Sequence, residues 1–157
     1  MTKIKVPPVR TPRMDRGPFA RILEADMLYQ ITLHLARCKE YPEGSAKFGY
    51  EITAPLDSNG MLDAAEWRDK RAQCRVRRFW DKEFDRHGFL IHRPGGSGGA
   101  TWAIDYDPER AIDDEAGYRL NKHRIAVGEY VSIQDEDEEL RTFQVVDVRP
   151  ARAAEMV

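Results

Sequence analysis

The sequence of 157 residues contains little cysteine and no long apolar run. Its two cysteines, Cys38 and Cys74, are too few for the disulfide framework of a small secreted domain, and we expect reduced thiols in the core or in strands. No stretch approaches the roughly 20 apolar residues of a membrane-spanning helix. The basic N-terminus has no apolar stretch followed by a small-residue cleavage site. We therefore expect a cytoplasmic protein without a membrane partner.

The chain also lacks the residue spacings typical of metal and catalytic sites. Its four histidines and two cysteines form neither a CxxC nor an HExxH pattern, and His34 with Cys38 is an isolated pair. The acidic residues 135–139 are not followed by the glycine and glutamate of a calcium loop, and they are typical of a solvated connection between strands. We therefore predict no metal site, no cofactor and no catalytic residue, and the sequence does not favour an enzyme.

Neither sign of charge is in large excess. The chain has 25 basic and 27 acidic residues, which leave a formal net charge of -2. Because this balance gives no global attraction to nucleic acid or to an anionic membrane, binding to a polyanion would require a local basic patch. The length and the hydrophobic fraction of 41% are sufficient for one core.

The distribution of apolar residues predicts one domain with two tails. Residues 1–18 are rich in proline and arginine and have little periodic hydrophobicity, which predicts an extended tail. Residues 19–150 are predicted to form the domain, and residues 151–157 a C-terminal tail. Seven short segments have the alternation or the β-branched and aromatic content of strands.

One segment changes from strand to helix periodicity. Asp63 and Glu66 have the spacing of a capping box, which predicts a helix over residues 64–73. We therefore predict an α+β fold. It is a mostly antiparallel, partly closed β-barrel of about six to seven strands with one well-defined helix.

The glycine-rich residues 95–99 read GGSGG and contain the G-x-S-x-G pattern of a serine nucleophile. That motif requires a helix after the serine, whereas Thr101, Trp102 and Ile104 favour a strand. Successive glycine amides could also cradle a phosphate beside Arg93, but no Gly-Lys-Ser or Gly-Lys-Thr is present. We interpret the segment as a mobile hairpin loop.

Basic residues are concentrated between Arg68 and Arg93, where nine basic and four acidic side chains leave a local charge of +5. Alternation within the strand CRVRRFW places Arg75 and Arg77 on one face, close to the aromatic Trp80. This pattern predicts a surface for phosphate groups or for an acidic peptide. The alternative is that the arginines pair with acidic residues of the same chain.

We therefore predict a small cytoplasmic binding domain. It would contact an unknown protein, peptide or polyanion through a basic and aromatic strand face and the glycine-rich loop. The alternative is a small enzyme or ligand-binding barrel with a pocket near His87, His92, Arg93 and Trp102, where charged and aromatic groups converge. The candidate binding residues are Arg75, Arg77, Trp80, His92, Arg93 and Trp102.

Overall fold

A computed structural model describes most of the predicted domain. The described residues are 27–93, 102–106, 115–118, 124–135 and 139–151. The predicted tail of residues 1–18, the glycine-rich residues 95–99 and all but Ala151 of the predicted C-terminal tail lie outside this part of the chain.

Eight strands and one short helix form the described part of the protein. The helix α1 (Ala64–Lys70) lies between the second and third strands and continues into a 3-10 turn over Arg71–Gln73. The predicted architecture, mostly antiparallel sheet with one helix, is confirmed. The strands are β1 (Tyr29–Leu35), β2 (Ser45–Ala54), β3 (Arg75–Phe79), β4 (Arg86–His92), β5 (Trp102–Asp105), β6 (Glu115–Tyr118), β7 (Tyr130–Gln134) and β8 (Leu140–Pro150).

Each strand pairs antiparallel with the next strand along the chain, and β1 also pairs with β8. The ring of pairings closes the sheet into a barrel, the arrangement of an up-and-down barrel. The sequence predicts seven of these strands. It does not predict β6, because EAGY has no alternating apolar pattern.

The interior of the barrel is a packed core. Side chains that alternate along the strands, such as Leu33, Leu90 and Val145, are almost inaccessible to solvent. The rings of Tyr50 on β2 and Phe143 on β8 meet edge to face, with centroids 5.1 Å apart. Because an eight-stranded barrel is just wide enough to be filled by side chains, these residues stabilise the fold instead of lining a channel.

The two ends of the barrel differ. The connection of residues 55–74 contains α1 and lies at one end, which we call the capped end. Residues 36–44 and 80–85 connect strands at the opposite end, which we call the open end. At the capped end, Asp63 begins the helix as predicted, because its side chain accepts a hydrogen bond from the Glu66 amide at 3.1 Å.

Candidate functional site

The outer face of β3 and β4 carries several residues that the sequence singled out. In the strand register, Arg75 lies opposite Phe89 and Arg77 lies opposite His87. Val76 between the two arginines is buried in the core. Because successive side chains of a strand point to opposite faces, Arg75 and Arg77 share the outer face.

Arg77 is bound within the molecule. Its Nε donates to Glu51 Oε1 at 3.0 Å, and its Nη1 donates to Asp85 Oδ2 at 2.7 Å. The hydrogen bond to Glu51, reinforced by that to Asp85, raises the pKa of Arg77 further above its ordinary value, although partial burial opposes this shift. The charge of Arg77 is therefore compensated by its own chain, as in the alternative interpretation of the sequence.

Arg75 and Arg71 differ from Arg77 in their contacts. Arg75 is exposed, and its Cζ lies 6.0 Å from the ring centroid of Phe89. Arg71 is also exposed, and its Cζ lies 5.9 Å from the ring centroid of Trp67. Within the described part of the chain, neither guanidinium makes an ion pair. Both positive charges therefore remain uncompensated on the surface.

A groove of about 440 Å³ lies between the 3-10 turn and β4. We call it the flank groove. Its lining contains one acidic residue, Asp105, and two arginines, Arg71 and Arg93. Its apolar walls and its basic rim are formed by Trp67, Phe89, Ile91, Arg71, His92 and Arg93.

A cluster of three rings supports the flank groove from behind. The ring of His92 lies 4.6 Å from that of Trp102 and 5.9 Å from that of Trp67, centroid to centroid. The indole Nε1 of Trp67 donates to the carbonyl of Leu90 at 2.7 Å, which fixes α1 against β4. Trp102 is 2% exposed and its ring packs on that of His92, so it belongs to the core.

The six candidate residues are thus divided among several places. His92 and Arg93 line the flank groove, and Trp102 lies behind it. Arg75 and Arg77 line a separate depression on the outer wall together with His87. Trp80 lies at the open end, where its ring packs 4.9 Å from that of Phe48. Among the described residues, His87 of the predicted pocket thus lines a different depression from His92 and Arg93.

Three residues of the flank groove that matter for binding, Trp67, Arg71 and Phe89, were not predicted from the sequence. Trp67 is the buried residue of α1, and such a residue in a short helix is normally a packing residue. Arg71 is the first residue after that helix and was part of the basic segment, but nothing in its spacing sets it apart. Only the packing of α1 on β4 brings both residues next to Phe89.

The described residues contain no group of three or more potential metal ligands. Within the same part of the chain, no helix has the length and hydropathy to cross a membrane. Both cysteines are free thiols, Cys38 exposed and Cys74 buried. Burial raises the pKa of the Cys74 thiol to about 12, which keeps it protonated into the alkaline range.

No protein-family model, curated protein or solved structure matches this chain. A function must therefore be inferred from the groove and its charges.

Proposed function

We propose that the protein is a binding domain that holds a single-stranded nucleic acid in the flank groove. The observation that carries this proposal is the position of Arg71, which lines the groove, and of Arg75, which lies outside the groove beside its wall residue Phe89. Both cations are exposed, neither makes an ion pair among the described residues, and they flank an exposed phenylalanine ring. Single-stranded nucleic acids supply the complementary chemistry, phosphates for the arginines and a flat base for the ring.

The ring of Phe89 is accessible enough for stacking, since 37% of the residue is exposed on the outer face of β4. A base that stacks on an aromatic side chain contributes about 1–3 kcal/mol to binding, with little dependence on sequence. Arg75 next to this ring would contact the phosphate that follows the stacked base. The two contacts together favour a single strand over a duplex, whose bases are already stacked.

The acidic net charge of the chain does not oppose local binding. At physiological ionic strength, charges more than about 8 Å apart are largely screened. Two acidic groups on the same wall, Glu51 and Asp85, are engaged because they bind Arg77. The groove itself is lined by two arginines, Arg71 and Arg93, and by one acid, Asp105, which lies opposite Phe89 in the strand register. This excess of basic residues favours a phosphate chain.

The alternative, a small-ligand pocket built by His87, His92, Arg93 and Trp102, receives less support. His87 and His92 line different depressions, and Trp102 is buried. The cytoplasm stays the proposed location, and the two free thiols agree with a reducing compartment.

The test is the affinity of a short fluorescent deoxythymidine oligonucleotide, measured by anisotropy over a series of salt concentrations. The double variant Arg71→Ala, Arg75→Ala should bind more weakly, and its log-log salt slope should fall by about 0.7 for each phosphate that the variant no longer neutralises. Phe89→Ala should weaken binding by about 1–3 kcal/mol with the slope unchanged, because stacking releases no counterions.

The matched control is Arg149→Ala. This exposed arginine lies on β8, which is four strands from β4 in either direction around the barrel. Its replacement should leave both the affinity and the slope as in the wild type. The proposal is wrong if the wild type does not bind the oligonucleotide at low salt, or if Arg149→Ala weakens binding as much as the double variant Arg71→Ala, Arg75→Ala.

A further inference from the structure

The open end of the barrel contains a second cavity, of about 320 Å³, which is separate from the flank groove. Apolar side chains from three different strands or strand ends form its inner part, namely Leu35, Phe48 and Trp80. Leu35 and Phe48 are buried, and the ring of Tyr41 lies 5.1 Å from that of Phe48. A volume at the lower limit of ligand pockets, with flat apolar walls, fits one small molecule that carries a ring.

Neighbouring charges hold the aromatic wall in place. The guanidinium carbon of Arg78 lies 4.0 Å from the ring centroid of Trp80, and that of Arg141 lies 5.2 Å from it. Arg141 also forms ion pairs with Asp135 and, at 3.2 Å, with Glu139. Its charge is therefore compensated within the protein, and Arg141 serves to position the indole.

Two other charged residues of the cavity are not compensated. Arg37 and Glu40 both line it, both are exposed, and neither makes an ion pair in the part of the chain that the structure describes. The backbone that carries them is fixed by a tight turn. In this turn the amides of Cys38 and Tyr41 donate to each other's carbonyl groups at 3.0 and 3.1 Å.

We propose that the open end binds a free α-amino acid with an aromatic side chain. Arg37 would bind the carboxylate, Glu40 would bind the ammonium group, and the ring would pack against Phe48 and Trp80. One uncompensated cation and one uncompensated anion at the rim complement a zwitterion better than a ligand of single charge. This inference is independent of nucleic-acid binding, because the two sites share no lining residue.

Isothermal titration calorimetry with the full chain tests this inference. The ligands are phenylalanine, 3-phenylpropionate, which lacks the ammonium group, and phenethylamine, which lacks the carboxylate. Phenylalanine should bind tightest, and each analogue should bind on the order of ten-fold more weakly, as expected when one charge-assisted hydrogen bond is missing.

Two variants test which charged group of the ligand Arg37 and Glu40 bind. Arg37→Ala should weaken the binding of phenylalanine and of 3-phenylpropionate but leave that of phenethylamine unchanged. Glu40→Gln should weaken the binding of phenylalanine and of phenethylamine but leave that of 3-phenylpropionate unchanged. Lys39→Ala and Glu43→Gln are the matched controls, because they remove exposed charges of the same connection that do not line the cavity. These controls should bind all three compounds as the wild type does.

Three results would overturn the inference. They are equal affinity for the three compounds, tighter binding of either analogue than of phenylalanine, and no heat of binding at millimolar ligand. The double variant Arg71→Ala, Arg75→Ala should keep its affinity for phenylalanine even if it loses the oligonucleotide. Failure at the flank groove and failure at the open end are thereby distinguished.

Discussion

At the capped end of the barrel, Trp67 of α1 is buried against His92 and Trp102, whereas at the open end the rings of Tyr41 and Trp80 border a cavity. Both ends therefore place aromatic residues over the same core. At the capped end, however, the helix α1 supplies the covering residue Trp67. The indole N–H of Trp67 donates a hydrogen bond to the carbonyl of Leu90. No described element covers the open end in this way.

This difference separates stability from binding. Apolar surface that is buried by α1 stabilises the fold, since each ring transferred from water contributes to the free energy of unfolding. Rings that border a cavity contribute less to stability and remain able to contact a ligand. The flank groove lies beside the capped end, where the rigid pair of α1 and β4 holds the groove residues in place.

The largest expected effect is the loss of the cap. Trp67→Ala should lower the free energy of unfolding by about 3–5 kcal/mol, because it removes a buried ring and leaves the Leu90 carbonyl without its donor. Tyr41→Ala, at the open end, should cost only about 1 kcal/mol, since this residue is 38% exposed. Urea denaturation of both variants measures the difference. Equal losses would contradict the division between the two ends.

The two cysteines allow a second comparison of the two ends, based on how stability depends on pH. Burial raises the pKa of Cys74, near the capped end, from 9.0 to about 12. The native state thus holds a proton that the unfolded state releases above pH 9.0, so the stabilising contribution is complete below that pH and is lost as pH rises towards 12. We expect a loss of about 1.4 kcal/mol per pH unit above this point.

Denaturation of the wild type and of Cys74→Ala across alkaline pH measures this contribution, because the variant lacks the titrating thiol. Parallel pH profiles would show that the thiol does not titrate as proposed. At neutral pH, iodoacetamide should label Cys38, which is exposed near the open end, and leave Cys74 unmodified in the folded protein.

A smaller effect separates the two arginines of β3. Arg77→Ala should lower stability by about 1 kcal/mol, a loss kept small by solvent screening of its partly exposed ion pairs with Glu51 and Asp85. Arg75→Ala should change stability very little, because Arg75 makes no ion pair in the described chain. For oligonucleotide affinity we expect the opposite order, in which Arg75→Ala weakens binding more than Arg77→Ala does. Denaturation and anisotropy on the same two variants provide the comparison.

Local sequence rules predicted much of the fold. The alternation of Arg75 and Arg77 and the cap at Asp63 depend on neighbours within a few residues, and the structure shows both. The closing pair of β1 and β8 was not specified, since it joins segments more than a hundred residues apart. The composition of two distant segments does not specify which of their residues pair.

The site was harder to predict for the same reason. The partner of Arg77, Glu51, lies on another strand, 26 residues earlier in the sequence. His87 and His92 are close in sequence, yet they line different depressions of the wall. The predictions for residues 1–18 and for the glycine-rich loop stay predictions, because both segments lie outside the described residues.

Amide NMR chemical shifts of the full chain, recorded during titration with the deoxythymidine oligonucleotide, test the proposed function most directly. The shifts should concentrate at Phe89–His92 of β4, at Arg93, at Arg75 of β3 and at Arg71 in the 3-10 turn, whereas the amides of residues 36–44 at the open end should not move. Shifts confined to the open end, or no shifts at all at low salt, would contradict the assignment of the flank groove as the nucleic-acid site.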